Sequence, residues 1–268
     1  MLEILLICLA FGCFSGVLAG LFGIGGGLVL VPFFLFLLES RGIANELLML
    51  MAVATSLATM IITSIAATLM QHRLGAVIWE SVFNLSYGLL FGVIIGTLVA
   101  DSISSDSLRF IFALYILYVA IEMAMSTRIE AKFKSLSALA MTMSGSVIGF
   151  VSAVLGIGGG TLTVPLLARH QVPMRNAVAI SSACGLPIAF VGTISYAILG
   201  WQKTGLPDGS VGYIYIPAFL GVLMSSMLTA PVGAKLANKL PTRQLKQYFS
   251  LLLFVVAAKL LWAIIKIS

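Results

Sequence analysis

Apolar residues run in eight stretches along the chain, at about 2–38, 47–70, 76–100, 108–126, 136–168, 174–200, 211–235 and 245–265. A helix of roughly 20 apolar residues crosses a bilayer, so most of these stretches predict single spanning helices. Two of them, 2–38 and 136–168, are too long for one simple span. Each is broken by Gly-Ile-Gly-Gly-Gly and then a proline, Pro32 in the first and Pro165 in the second.

Those breaks expose an internal repeat. Gly12, Gly16, Gly23, Ile24, Gly25, Gly26, Gly27, Val31 and Pro32 recur 133 positions later as Gly145, Gly149, Gly156, Ile157, Gly158, Gly159, Gly160, Val164 and Pro165. Ala52-Val53-Ala54-Thr55-Ser56 answers to Ala177-Val178-Ala179-Ile180-Ser181. At an offset of 137, Gly75, Gly96, Leu108, Arg109 and Phe112 match Gly212, Gly233, Leu245, Lys246 and Phe249. Ordered matches over the whole length predict two halves, 1–128 and 129–268, joined by a short polar stretch holding Arg128, Lys132 and Lys134.

Composition narrows the class. Apolar types make up 60% of the 268 residues and charged types 9%, against about 25% charged in a soluble domain. A soluble enzyme, a disordered linker and a nucleic-acid binder are excluded. The net charge of +6 comes from dispersed Lys and Arg in short gaps, with no basic stripe to track a nucleic acid. Cys8, Cys13 and Cys184 sit in apolar stretches without CxxC spacing and read as packing residues. The N-terminal run lacks a positive leader region and is not expected to be a cleavable signal peptide.

Charge placement also bears on topology. If each glycine-broken segment crosses the membrane, Lys and Arg divide seven against eight. If each is a hairpin returning to its own side, one face keeps Arg41, Arg109, Lys203, Lys259 and Lys266 while the other ten share the opposite face. Only the hairpin arrangement gives a positive-inside bias. It makes the repeats inverted. The expected fold is an all-α polytopic membrane protein of two inverted-topology repeats, each with a glycine-broken helical hairpin plus three longer transmembrane helices. Both termini are expected outside a bacterial-type plasma or inner membrane.

The glycine turns are the candidate site. Irregular backbone survives at membrane depth only where protein buries it or where it lines a water-filled cavity. Gly23, Gly25, Gly26 and Gly27, and Gly156, Gly158, Gly159 and Gly160, offer successive amides without side chains, a concavity suited to anions. The helices that follow add the positive ends of their dipoles. Pro32 and Pro165 fall early in those helices, where a missing amide is tolerated. Gly88, Gly92 and Gly96 read instead as a small-residue packing seam, where Gly92→Ala is expected to keep most activity.

The paired GxxxGxxGIGGGxxxVP elements and the Ala-Val-Ala-Thr-Ser element resemble the sulfite exporter TauE/SafE family of membrane permeases. The resemblance covers nearly the whole chain. It implies transport of small sulfur-containing anions, sulfite above all, with organosulfonates carried by other members. The second half departs from the first: Ile180 replaces Thr55, and Trp201-Gln202-Lys203 stands near the place of Gln71-His72-Arg73.

Other polar positions complete the expectation. Thr55, Ser56, Ser181 and Ser182 either bond to their own helix or line the anion path, and Gln71, His72 and Arg73 form a candidate cationic vestibule. Glu122 is the best candidate for a coupling proton, with Glu80 a weaker one; Glu122 and Lys259 are related by the 137 offset. His72 with only His170 elsewhere makes no metal site, and neither HExxH nor GxSxG is present, so no metal, cofactor or enzymatic activity is expected. The expected partners are a small inorganic or organosulfur anion and the lipid bilayer, with a homodimer left open. An anion channel, an importer of an organosulfonate or thiosulfate-like anion, and a non-transporting membrane assembly factor are the rival readings.

Overall fold

The second glycine break of the sequence becomes a gap between two helices. A computed structural model of the protein describes residues 2–22, 26–125, 136–237 and 242–267. The first half holds α1 (Leu2–Phe22), α2 (Gly27–Glu39), α3 (Asn45–Arg73), α4 (Trp79–Ser102) and α5 (Ser105–Ala124). The second repeats the order with α6 (Ala138–Leu155), α7 (Gly160–Arg169), α8 (Met174–Leu199), α9 (Ile216–Ala237) and α10 (Thr242–Ile267). Six of these are long and apolar enough to cross a membrane: α3, α4, α5, α6, α8 and the 216–233 part of α9.

Helix ends follow local chemistry. Ser104 and Ser137 cap α5 and α6 by accepting from the Ser107 and Ala140 amides, which satisfies one orphan donor at each start. Gly26 and Gly159 precede α2 and α7 with φ of 83° and 67°, and Gly156 closes α6 at 68°. That left-handed region is open to glycine at little steric cost.

One stretch departs from expectation. The apolar run beginning at 211 starts as a small antiparallel ladder, β1 (Ser210–Val211) on β2 (Ile214–Tyr215), before α9 begins. Gly209 and Gly212 carry positive φ on either side of β1 and turn the chain there.

The halves interleave. Helix α1 packs along α9, and α4 along α6; α3 packs on α8, and α5 on α10. The small-residue seams set these contacts. Gly12 faces Val222 and Gly16 faces Ser226, so α1 and α9 run parallel. Gly88, Gly92 and Gly96 meet Thr142, Ser146 and Phe150 in order, so α4 and α6 also run parallel. On α3 and α8 the order reverses: Gly192 meets Leu57 and Gly185 meets Ser64. Those two central helices are antiparallel.

Loops gather at two ends. At one, Arg109 donates to Glu39 Oε2 at 2.9 Å, Tyr213 donates to Asp101 Oδ1 at 2.6 Å, and the Met49 amide donates to Ser105 Oγ at 3.1 Å. At the other, Asn176 Nδ2 donates to the Ala76 carbonyl at 2.9 Å and Arg175 to that of Leu74. Phe33 of α2 packs on Phe11 of α1, so the first broken segment doubles back. Ser144 of α6 and Arg169 of α7 line one cleft, and the second segment does the same.

Candidate functional site

The start of α2 meets the second glycine turn inside the protein. Gly27 lies against the Gly156 carbonyl, and a Cβ placed on it would stand 2.8 Å from Ile157 Cα. Backbone packs on backbone there, and only glycine leaves the room. Gly158, Gly159 and Gly160 are buried, as are Gly26 and Gly27. The first amides of α7, those of Gly160 and Thr161, have no partner within their own helix. They stand at the positive end of its dipole. Gly23 and Gly25 lie outside the described residues.

Two adjacent hydroxyls of helix α3 hold neighbouring backbone, one at the second turn and one at β2. Ser56 donates to the Gly156 carbonyl at 2.9 Å, and Thr55 accepts from the Tyr215 amide at 3.0 Å. Both side chains are fully buried. The Ser56 proton is therefore spent on the turn's backbone. On α8, Ser182 donates to its own helix at Val178, 3.0 Å away, and Ser181, the counterpart of Ser56, is buried with a partner. Pro32 and Pro165 fall in the second turns of α2 and α7.

A polar stripe continues along α3. Thr59, Thr63, Ser64, Thr68 and Gln71 are all buried, and Gln71 Oε1 has no hydrogen-bond partner. Sequence reasoning passes over most of this stripe, although hydroxyls recurring at helical spacing from Ser56 onward mark one face. The three vestibule candidates separate: Gln71 is inside, whereas His72 and Arg73 are exposed. His72 Nδ1 accepts from Trp79 Nε1 at 3.3 Å.

Glu122 borders a cleft of about 410 Å³ between α5 and the second hairpin, lined also by Thr161, Arg169 and His170. Thr161 is hydrogen-bonded to the Tyr115 hydroxyl. The repeat-related Lys259 instead sits 4.0 Å over the Phe36 ring, and Phe36 occupies the place that Arg169 has in the other half. The sequence pairing of Glu122 with Lys259 thus resolves into two corresponding places of opposite chemistry. Sequence reasoning also misses another charged group as an internal residue. Arg109 is 3% exposed and is ion-paired to Glu39, with its Nε lacking a partner.

Outside the spans, burial and the Asp101 carboxylate both push the Tyr213 phenol above its usual range, which keeps it a neutral donor. Among the described residues no group of three His, Cys, Asp or Glu is placed to hold a metal ion.

Six membrane-long helices, interleaved halves and a buried glycine-lined centre are the build of an integral membrane transporter. The chain belongs to the sulfite exporter TauE/SafE family, whose model matches residues 8–260. It is similar to a "Probable membrane transporter protein" of Haemophilus influenzae, 38% identical over 96% of this chain and 98% of that one. A namesake from Methanocaldococcus jannaschii is 30% identical over 91% of each. The Bacillus subtilis protein named "Probable membrane transporter protein YunE" is 22% identical over 96% and 97%. No solved structure matches.

Proposed function

We propose that the protein is a secondary permease for small sulfur-containing oxyanions, sulfite above all, exported by alternating access between two inverted repeats, 1–128 and 129–268. The observation that carries the reading is the meeting of the glycine turns at Gly27, Gly156 and Ile157. An oxyanion needs several donors, and buried glycine amides at a helix start are donors that no side chain obstructs. Hydrogen bonds to a charged group contribute about 1.5–3 kcal/mol each, so several together offset lost hydration.

Inversion is supported by contacts at the two ends. Were the broken segments simple crossings, residues 74–76 and 175–176 would lie on opposite faces, as would Asp101 and Lys203. Instead Asn176 bonds Ala76 at 2.9 Å, and Lys203 stands 3.9 Å from Asp101. The antiparallel α3 and α8 agree with a two-fold axis in the membrane plane. The Lys/Arg bias then puts both termini outside, with His72 and Arg73 gathering anions at the inner mouth and Glu122 as the coupling group.

Flux assays in proteoliposomes with sulfite, thiosulfate, sulfate and small sulfonates test the reading. Saturable sulfite flux is expected. Flux that stays linear with concentration favours a channel, and failure of every anion to move or compete overturns the proposal.

A further inference from the structure

The two glycine turns are related by the repeat, but their surroundings differ in chemistry. At Gly26 a Cβ would meet Ala19 Cβ at 3.5 Å, Leu30 Cδ1 at 3.5 Å and the Ser15 carbonyl at 3.4 Å. None of these groups donates a hydrogen bond. At Gly159 the residue corresponding to Ala19 is Ser152, whose Oγ stands 3.3 Å from the same point. The residue corresponding to Leu30 is Thr163, in the first turn and a half of α7.

Neither hydroxyl has a hydrogen-bond partner. Ser152 is 0% and Thr163 1% exposed, and both side-chain oxygens are buried and unpaired. Several helix hydroxyls here turn back to a carbonyl one turn earlier, as Ser86, Ser182 and Thr193 do, while Thr68 of α3 is also buried and unpaired. A buried hydroxyl without a partner carries a desolvation penalty. Two of them near the start of α7, whose first amides have no partner within their own helix, indicate a missing acceptor.

Different side chains fill the flanks of the two turns. Met60 fills the side of the first turn, its Sδ 3.2 Å from a Cβ on Gly27. Its counterpart on α8 is Gly185, which has no side chain. A Cβ on Gly185 would stand 2.7 Å from Ser64 Oγ and 3.8 Å from the Gly158 carbonyl. Both turns are closely packed, since Ile188 Cδ1 and Ile148 Cγ2 stand 2.9 and 3.2 Å from a Cβ on Gly159 and Ser64 fills the space beside Gly185. What separates Gly26 from Gly159 is the hydroxyl.

We infer that the anion is bound at the second glycine turn alone, with Ser152 and Thr163 as binding residues beside the Gly159 and Gly160 amides, and that Gly26 and Gly27 serve packing. This rests on the oxyanion reading above and assigns it to one half. Binding of one anion per chain follows, where a symmetric pair of sites would take two.

Equilibrium binding and proteoliposome flux of sulfite, with thiosulfate as a second probe, test the assignment on the full chain. Ser152→Ala and Thr163→Val are each expected to weaken affinity by about tenfold, and Thr163→Ser, which keeps the hydroxyl, to restore it. Met60→Leu, at the first turn, is expected to keep wild-type affinity and flux. A stoichiometry of two, or wild-type affinity in both hydroxyl variants, overturns the single-site inference while leaving the oxyanion reading intact. Absence of saturable binding by the wild-type chain to either probe overturns both.

Discussion

Phe11 and Phe33 stack face to face, their ring centroids 4.0 Å apart and their planes 9° from parallel. A continuous helix would separate residues this far apart in sequence by about 33 Å. The contact therefore requires the chain to reverse at the first glycine turn. Helices α2 and α7 are short, with 13 and 10 residues. At 1.5 Å per residue they reach about half or two-thirds of the way across a ~30 Å hydrocarbon layer.

Topology gives the first prediction. In a cysteine-free background, Ser40→Cys and Gln202→Cys should be labelled by an impermeant reagent from one face and Ser135→Cys from the other. Crossing segments would instead separate Ser40 from Gln202. Labelling of those two from opposite faces defeats the inverted arrangement.

The turns give the second. Gly26→Val and Gly159→Val should abolish flux in correctly inserted protein. Both positions have positive φ, where a β-branched residue is strained, and at Gly159 a Cβ would stand 2.9 Å from Ile188 Cδ1. Normal flux in both would make the turns purely structural.

The seam revises an expectation. Spacing alone makes Gly92→Ala look tolerable, but its Cβ would collide with the Ser146 carbonyl and stand 2.8 Å from the Phe150 amide nitrogen. Backbone cannot move aside as a side-chain tip can. A loss of about 1–3 kcal/mol of stability is expected, read as a lower melting temperature in detergent. A melting temperature equal to wild type would show that α4 and α6 separate freely.

Removing one partner of the Glu39–Arg109 pair should be costly. Glu39→Gln leaves a buried guanidinium without its counter-charge, a change worth about 3–5 kcal/mol where burial is complete and less here, because Glu39 is 40% exposed. Thermal unfolding of Glu39→Gln beside Glu46→Gln, an exposed control, checks it.

Coupling is tested at Glu122. Wild-type flux should respond to an imposed pH gradient, and Glu122→Gln should transport with that response lost. An undiminished response in the variant would remove Glu122 from the mechanism.

Much of this was legible along the chain. Eight apolar runs and two glycine breaks identified a helical membrane protein, because span length and the demand for internal backbone hydrogen bonds are properties of local sequence. The fate of Ser56 was not legible. Its spacing on α3 suited a ligand as well as a carbonyl, and its partner at Gly156 is 100 residues away. Arg109 likewise looked like a loop cation until α2 brought Glu39 against it.

What the sequence by itself determined is the class: helices that span and breaks that cannot lie in lipid. Only the tertiary structure decided which surfaces meet. It set α1 along α9 and α4 along α6, brought Gly27 onto Gly156, and left Ser152 and Thr163 without partners beside the second turn. The reason is physical: a hydroxyl or a glycine has the same local propensity whichever neighbour it meets. Its role depends on what the packed chain places within about 3 Å of it.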